Sequence, residues 1–250
     1  MKCIRFKIQD KIHFGILEDD VVRECVNFSL PIQQTGRIFK LSNIELLIPI
    51  QPSKIIGIGL NYRKHALEFG LPIPQQPIVF IKPDTCLISS HQSVVLPSLS
   101  NQVEYEGEIG VVISKKCKNV SKAQAKDVIF GIIATNDLTA RDLQPKQGQW
   151  TLAKSFDGFL PVGDWIETEF DINDIPVSTF LNQKLVQQSN ANDMIFSIEE
   201  IIAFVSQYMT LHEGDLICTG TPSGVGPVTS KDIVTVSVGS HNQVVTTFSD

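Results

Sequence analysis

Residues 103–113 read VEYEGEIGVVI, and the change of texture halfway along decides the kind of chain this is. Glu104, Glu106 and Glu108 sit at alternate positions, so in a strand all three carboxylates project from one face, with i, i+2 neighbours about 7 Å apart. IGVVI follows directly, and a continuous apolar run is the pattern of a strand covered on both faces. A solvated face on an edge strand would explain the acids alone. Glu108, however, enters a region where an unpaired carboxylate is costly, so a positive group should meet it, and a bound divalent cation is one candidate.

Outward from this stretch, strands dominate. KIIGIGL, PIVFIK, SVVLP, VIFGIIAT, DLICTG, IVTVSV and VVTTF are Val/Ile-rich runs of strand length bounded by Gly, Pro, Asn and Asp. Near the start, Ile4, Phe6 and Ile8 alternate with Arg5, Lys7 and Gln9, which predicts a half-buried strand, and HFGILEDD and VVRECV continue the pattern. Residues 1–50 therefore read as a small β-rich N-terminal appendage, structural and not catalytic, joined through QPSK to a main domain over 51–250. One helix is strongly signalled: Ser197 and Glu200 form a capping box, after which Ile198, Ile201, Ile202, Val205, Tyr208 and Met209 fall on one face. Shorter helices are expected from Ser121 and over NYRKHALEFG. Too few helices alternate with strands for a doubly wound sheet or a TIM barrel, so the fold class is α+β, β-dominated.

Composition narrows the function. The chain has 250 residues, 42% hydrophobic and 19% charged, enough for a real core. Its net charge of -6, with no Lys/Arg run, argues against a nucleic-acid partner. No apolar run approaches the ~20 residues of a membrane span and the N-terminus has no signal-like apolar region. Five scattered cysteines without a C-x-x-C pair read as reduced thiols in a cytoplasmic protein.

Three further constellations could carry chemistry. VIFGIIATNDLTARD is a buried strand running into Asn136 and Asp137, followed by the charged pair Arg141 and Asp142. Asp137 could cap the next turn; joined with Glu106 and Glu108 it makes an oxygen-only site suited to Mg²⁺ or Mn²⁺ and not to zinc. His65 and Glu68 lie at i, i+3, where a carboxylate can orient an imidazole, although a surface pair has the same spacing. Lys154 in WTLAKSFDGF is either a functional amine or a snorkelling surface lysine. GIGLNY and TGTPSGVG lack the remaining residues of a dinucleotide fingerprint or a P-loop; they signal tight turns whose N–H groups are natural donors.

In this order, IGIGLNYRKHALE, IVFIKP, EGEIGVVI, NDLTARDLQ, WTLAKSFDGFLPVGDWI and the stretch from NDMIF to TPSGVG resemble the fumarylacetoacetate hydrolase family, in its metal-dependent branch of 2-oxo-acid enzymes. The resemblance runs from about Lys54 to the C-terminus. It implies a mixed β-sandwich roll, usually a homodimer, with Mg²⁺ or Mn²⁺ held by Glu106, Glu108 and Asp137, while Glu104 lies outside the motif and is expected to be solvated. His65 and Glu68 match the family's His-Glu dyad on a mobile lid helix, Lys154 its active-site lysine, and Gln187 and Thr221 its substrate contacts. Val186 and Ala191 stand where relatives often carry Arg and Thr, which weakens the case for a distal substrate carboxylate. The resemblance implies C–C cleavage of a short 2-oxo acid through a metal-stabilised enolate, by 3-acylpyruvate hydrolysis or oxaloacetate decarboxylation. An isomerase or decarboxylase of a muconate-type diacid is the alternative, and a non-catalytic metal-binding protein of the same fold is the rival from another class.

Overall fold

In the computed structural model, which describes residues 1–145 and 148–250, the stretch 103–113 is a strand broken once. Val103–Tyr105 and Gly107–Ile113 are separate strands with Glu106 at the break. Gly107–Ile113 pairs antiparallel with Ile129–Asn136 on one side and Leu216–Cys218 on the other. It is thus an inner strand, and every one of its residues is buried, as its unalternating composition requires. Beyond Leu216–Cys218 the sheet continues through the parallel strand Ile55–Gly59 to Ile78–Lys82.

A second, five-stranded sheet includes Pro176–Leu181, Ile233–Val238 and Asn242–Ser249. It packs on the first: Ile109, Val111, Ile132 and Ala134 share one core with Val177, Val234, Val236 and Val244. Gly107 marks the closest approach, since a Cβ there would stand 2.0 Å from Thr179 Oγ1. The expected β-dominated α+β class is the one observed, as mixed sheets packed face to face.

The first strand, Lys2–Ile8, forms an antiparallel pair with Lys11–Glu18 and also meets Ile166–Glu167, Cys3 lying opposite Ile166. The sheet of the N-terminal segment therefore continues into that of the remaining chain. This changes the reading of the alternating pattern. Cys3, Ile4, Arg5 and Phe6 are all buried, Arg5 included, because both faces of this strand are covered. The join is held by Asp215, whose carboxylate accepts hydrogen bonds from Ser53 N (3.0 Å), Ser53 Oγ (2.7 Å), Lys54 N (3.1 Å) and His212 N (2.7 Å).

The helix Ile198–Tyr208 has the expected capping box: Glu200 N donates to Ser197 Oγ and Ser197 N to the Glu200 carboxylate. Ile198, Ile201, Ile202 and Val205 face the core, but Tyr208 is 67% exposed, its ring against Phe204 at the solvent side of the last turn. Ser197→Ala should cost about 1 kcal/mol by urea denaturation, the usual loss for an N-cap; no change would mean that packing alone fixes this end. The short helix expected from Ser121 is present as a 3₁₀ helix, Lys122–Val128. Among the described residues no helix is long and apolar enough to cross a membrane.

Candidate active site

Strand pairing assembles the acidic residues. Gly107 is opposite Asn136, so Glu106 and Asp137 lie side by side where the two strands end. Glu106 N donates to Asn136 Oδ1 (3.0 Å) and Asp137 N to the Glu106 carbonyl (2.8 Å), which fixes both backbones. Glu108, one step into the buried strand, accepts a hydrogen bond from Gly220 N at 2.8 Å. Gly220 has φ +97°, a left-handed conformation that favours glycine, and a Cβ there would meet Asn61 at 2.7 Å. Glu106, Glu108 and Asp137 each offer an oxygen, all within 4.8 Å of one another, and all three are buried.

Three cations surround the acids. Lys154, on the one-turn helix Thr151–Lys154, donates from Nζ to Glu106 Oε2 (2.6 Å) and Asp137 Oδ2 (2.8 Å). Lys82, at the end of Ile78–Lys82, donates to Asp137 Oδ1 (2.6 Å) and to the Phe159 carbonyl (3.1 Å). Arg141 bridges Glu104 Oε2 (2.7 Å) and Glu106 Oε1 (2.5 Å). Burial opposes ionisation of Glu106, but Lys154 and Arg141 outweigh it and hold that carboxyl well below the usual range. Burial also opposes the Lys154 ammonium, and Asp137 and Glu106 overcome it, raising its pKa.

Glu108 is the exception. Burial, followed by the charges of Asp137 and Glu106, pushes its carboxyl well above the usual range, and among the described residues no cation pairs with it. Three convergent carboxylates, one without a cationic partner, form a donor set that suits a hard divalent cation such as Mg²⁺ or Mn²⁺, and the residues fit such an ion.

The His65–Glu68 pair is not a surface pair. His65 is only 5% exposed, on the helix Arg63–Glu68, and its Nδ1 lies 3.0 Å from Glu68 Oε2. Glu68 Oε1 in turn accepts from Gly224 N (2.9 Å), so the glycine-rich stretch TGTPSGVG supplies backbone donors to two site carboxylates. The helix is stopped by Gly70 at φ +62°, with Gly70 N bonded to the Leu67 carbonyl and Leu71 N to that of Ala66, a Schellman end.

His65, Glu106, Glu108, Lys154 and Thr221 line one cavity, walled also by Phe69, Phe80 and Trp150, with about 60 Å³ of space for water-sized molecules. Gln187 stands behind it: its Oε1 accepts from Gly107 N (3.0 Å), and its Nε2 donates to Thr221 Oγ1 and the Pro222 carbonyl (both 2.8 Å). Glu104 departs from expectation. It is 6% exposed, not solvated, because Arg141 and Gln102 reach it. Neither Arg141 nor Lys82 is assigned to the site by sequence reasoning, although Arg141 stands in the charged pair after Asp137 and Lys82 is a lone charge closing an apolar strand.

Comparison with known proteins accords with this geometry. The family model described as fumarylacetoacetate (FAA) hydrolase C-terminal matches residues 54–248, and one described as Rv2993c-like, N-terminal matches residues 1–49. An uncharacterized protein of Archaeoglobus fulgidus is 47% identical over 234 residues, 94% of this chain and 90% of that protein. Oxaloacetate tautomerase fahd2, mitochondrial, of Xenopus laevis is 42% identical over 78% of this chain and 63% of its own length. The crystal structure of 5-carboxymethyl-2-hydroxymuconate delta-isomerase from Mycobacterium smegmatis superposes with a TM-score of 0.92 at 35% identity, covering 100% of this chain and 99% of that one. With a matching family model over most of its length and a buried acidic centre at its heart, the chain belongs to the fumarylacetoacetate hydrolase family.

Proposed function

We propose that this family enzyme cleaves a carbon–carbon bond of a short 2-oxo acid, a 3-acylpyruvate or oxaloacetate, with Mg²⁺ or Mn²⁺ held by Glu106, Glu108 and Asp137. The observation that carries the reading is one small cavity walled by Glu106, Glu108, Lys154 and His65, with Asp137 clustered against the two glutamates. A divalent ion in this donor set supplies Lewis acidity toward the carboxylate and keto oxygens of the substrate. Lys154 holds Glu106 and Asp137 in place and puts an ammonium where negative charge develops on the substrate. Thr221 lines the cavity with its hydroxyl positioned by Gln187.

In hydrolysis of an acylpyruvate, His65 takes a proton from water and Glu68 steadies the imidazole. The hydroxyl adds to the acyl carbonyl, the bond to C3 breaks, and its electron pair passes into the three-carbon fragment, which leaves as pyruvate once C3 is protonated. In decarboxylation no water is consumed. Helix Arg63–Glu68 acts in this scheme as a lid that carries the dyad.

A second reading is proton transfer alone, as in a tautomerase or isomerase, in which His65 relays a proton at C3. It is favoured by the names of the Xenopus and Mycobacterium relatives. A longer muconate-type diacid suits this chain less well, given about 60 Å³ of open space and the Val186 and Ala191 departures. A panel of acetylpyruvate, oxaloacetate in keto and enol forms, and a hydroxymuconate, each with Mg²⁺, tests the proposal. Pyruvate release from the first two is expected. Keto–enol exchange without pyruvate would replace cleavage by the second reading, and no turnover of any would leave a metal-binding protein. A homodimer is proposed with it, to be checked by light scattering.

A further inference from the structure

A second cavity lies under the N-terminal strands, with about 280 Å³ of space for water-sized molecules, and it shares no lining residue with the acidic one. Its wall includes Phe14, Phe28 and Phe130, arranged as a continuous aromatic surface: Phe28 and Phe130 stack at 5.3 Å and 27°, and Phe14 meets Phe28 edge-on at 4.9 Å. Arg5 lines the same cavity. It is directly opposite Phe14 in the strand pair, so the guanidinium and the aromatic wall project from one face of the sheet.

The guanidinium is poorly provided for. Arg5 is only 8% exposed, its Nη1 donates one long hydrogen bond to the Ile48 carbonyl (3.3 Å), and its Nε is buried without a partner among the described residues. No carboxylate pairs with it among them, and the only acid in the cavity wall, Glu213, is solvent-exposed. A buried cation of this kind calls for an anion, and its planar fork fits a carboxylate bidentately. The aromatic wall calls for a flat apolar body, and Glu213 disfavours a second negative charge.

We propose that this cavity is a ligand site, separate from the acidic centre, for a small monocarboxylate with an aromatic body, its carboxylate on Arg5 and its ring against Phe14, Phe28 and Phe130. The site needs no metal and does not depend on the reaction at the other cavity.

Benzoate is the probe, with benzamide as its neutral isostere, titrated by calorimetry into the full chain stripped of metal. Benzoate should bind at one per chain, benzamide at least about tenfold more weakly, and Arg5→Met should weaken benzoate by at least about the same factor. If Arg5→Met does not fold, Gln51→Trp decides: Gln51 lines the cavity but is exposed, so a bulky ring there blocks the space while leaving Arg5 in place. Binding lost in Gln51→Trp supports the site. No binding of benzoate at about 10 mM, equal binding of benzamide, or benzoate affinity untouched by the substitutions would overturn it.

Discussion

Stripping divalent ions with EDTA should abolish turnover, and Mg²⁺ or Mn²⁺ should restore it; this is the largest effect expected of the molecule. A site made only of carboxylates binds hard cations reversibly, and Glu108 has no other cation to pair with among the described residues. The same ions should raise the melting temperature of the protein, by the equivalent of about 2.7 kcal/mol at a hundredfold excess over Kd. Glu108→Ala should lose both responses. Glu108→Gln, which keeps an acceptor for Gly220 N and fills the same space without a charge, should lose both responses while folding as the parent does. Full activity after exhaustive chelation, or an undiminished Mg²⁺ thermal shift in Glu108→Ala, would sink the metal assignment.

The second large effect concerns His65. His65→Ala should lower acylpyruvate hydrolysis by roughly 10²–10⁴-fold, the usual loss for a general base. Oxaloacetate decarboxylation, which consumes no water, should fall less. Glu68→Gln keeps an acceptor for Gly224 N but removes the charge beside the imidazole, so its loss should be smaller than that of His65→Ala. Equal losses on both substrates for His65→Ala would assign the histidine to closure of the lid, and unchanged rates on both would remove it from the chemistry.

The acidic centre was legible because its geometry is local to two strands. Alternation put Glu106 and Glu108 on one face, and a charge at the end of a buried run marked Asp137. Its counter-charges were not legible. Lys82 is 55 residues from Asp137 and Arg141 is 37 from Glu104, and only the pairing of distant segments brings them together. Glu104 was misjudged for the same reason: a period of two says which face a side chain shares, not whether an arginine from another segment covers that face. Arg5 was read as solvated because alternation cannot distinguish a strand on the surface from one whose polar face is closed over by another part of the chain. The capping box at Ser197 and Glu200, by contrast, depends on four consecutive residues and was read correctly.

The pairing of Lys2–Ile8 with Ile166–Glu167 also bears on the order of events during synthesis. The first strand finds its hairpin partner, Lys11–Glu18, within a few residues, and Glu45–Leu47 pairs with Arg5–Lys7 along its other edge, but the rest of that edge, Lys2 and Cys3, must wait for Ile166–Glu167, more than half the chain later. While the ribosome makes the intervening segment, an N-terminal meander is present with an open strand edge and apolar side chains meant for a surface not yet translated. Closure of so long a loop is slow, and open edges of this kind invite pairing between nascent chains. The yield of folded protein should therefore depend on translation speed and chaperone supply more steeply than its final stability suggests.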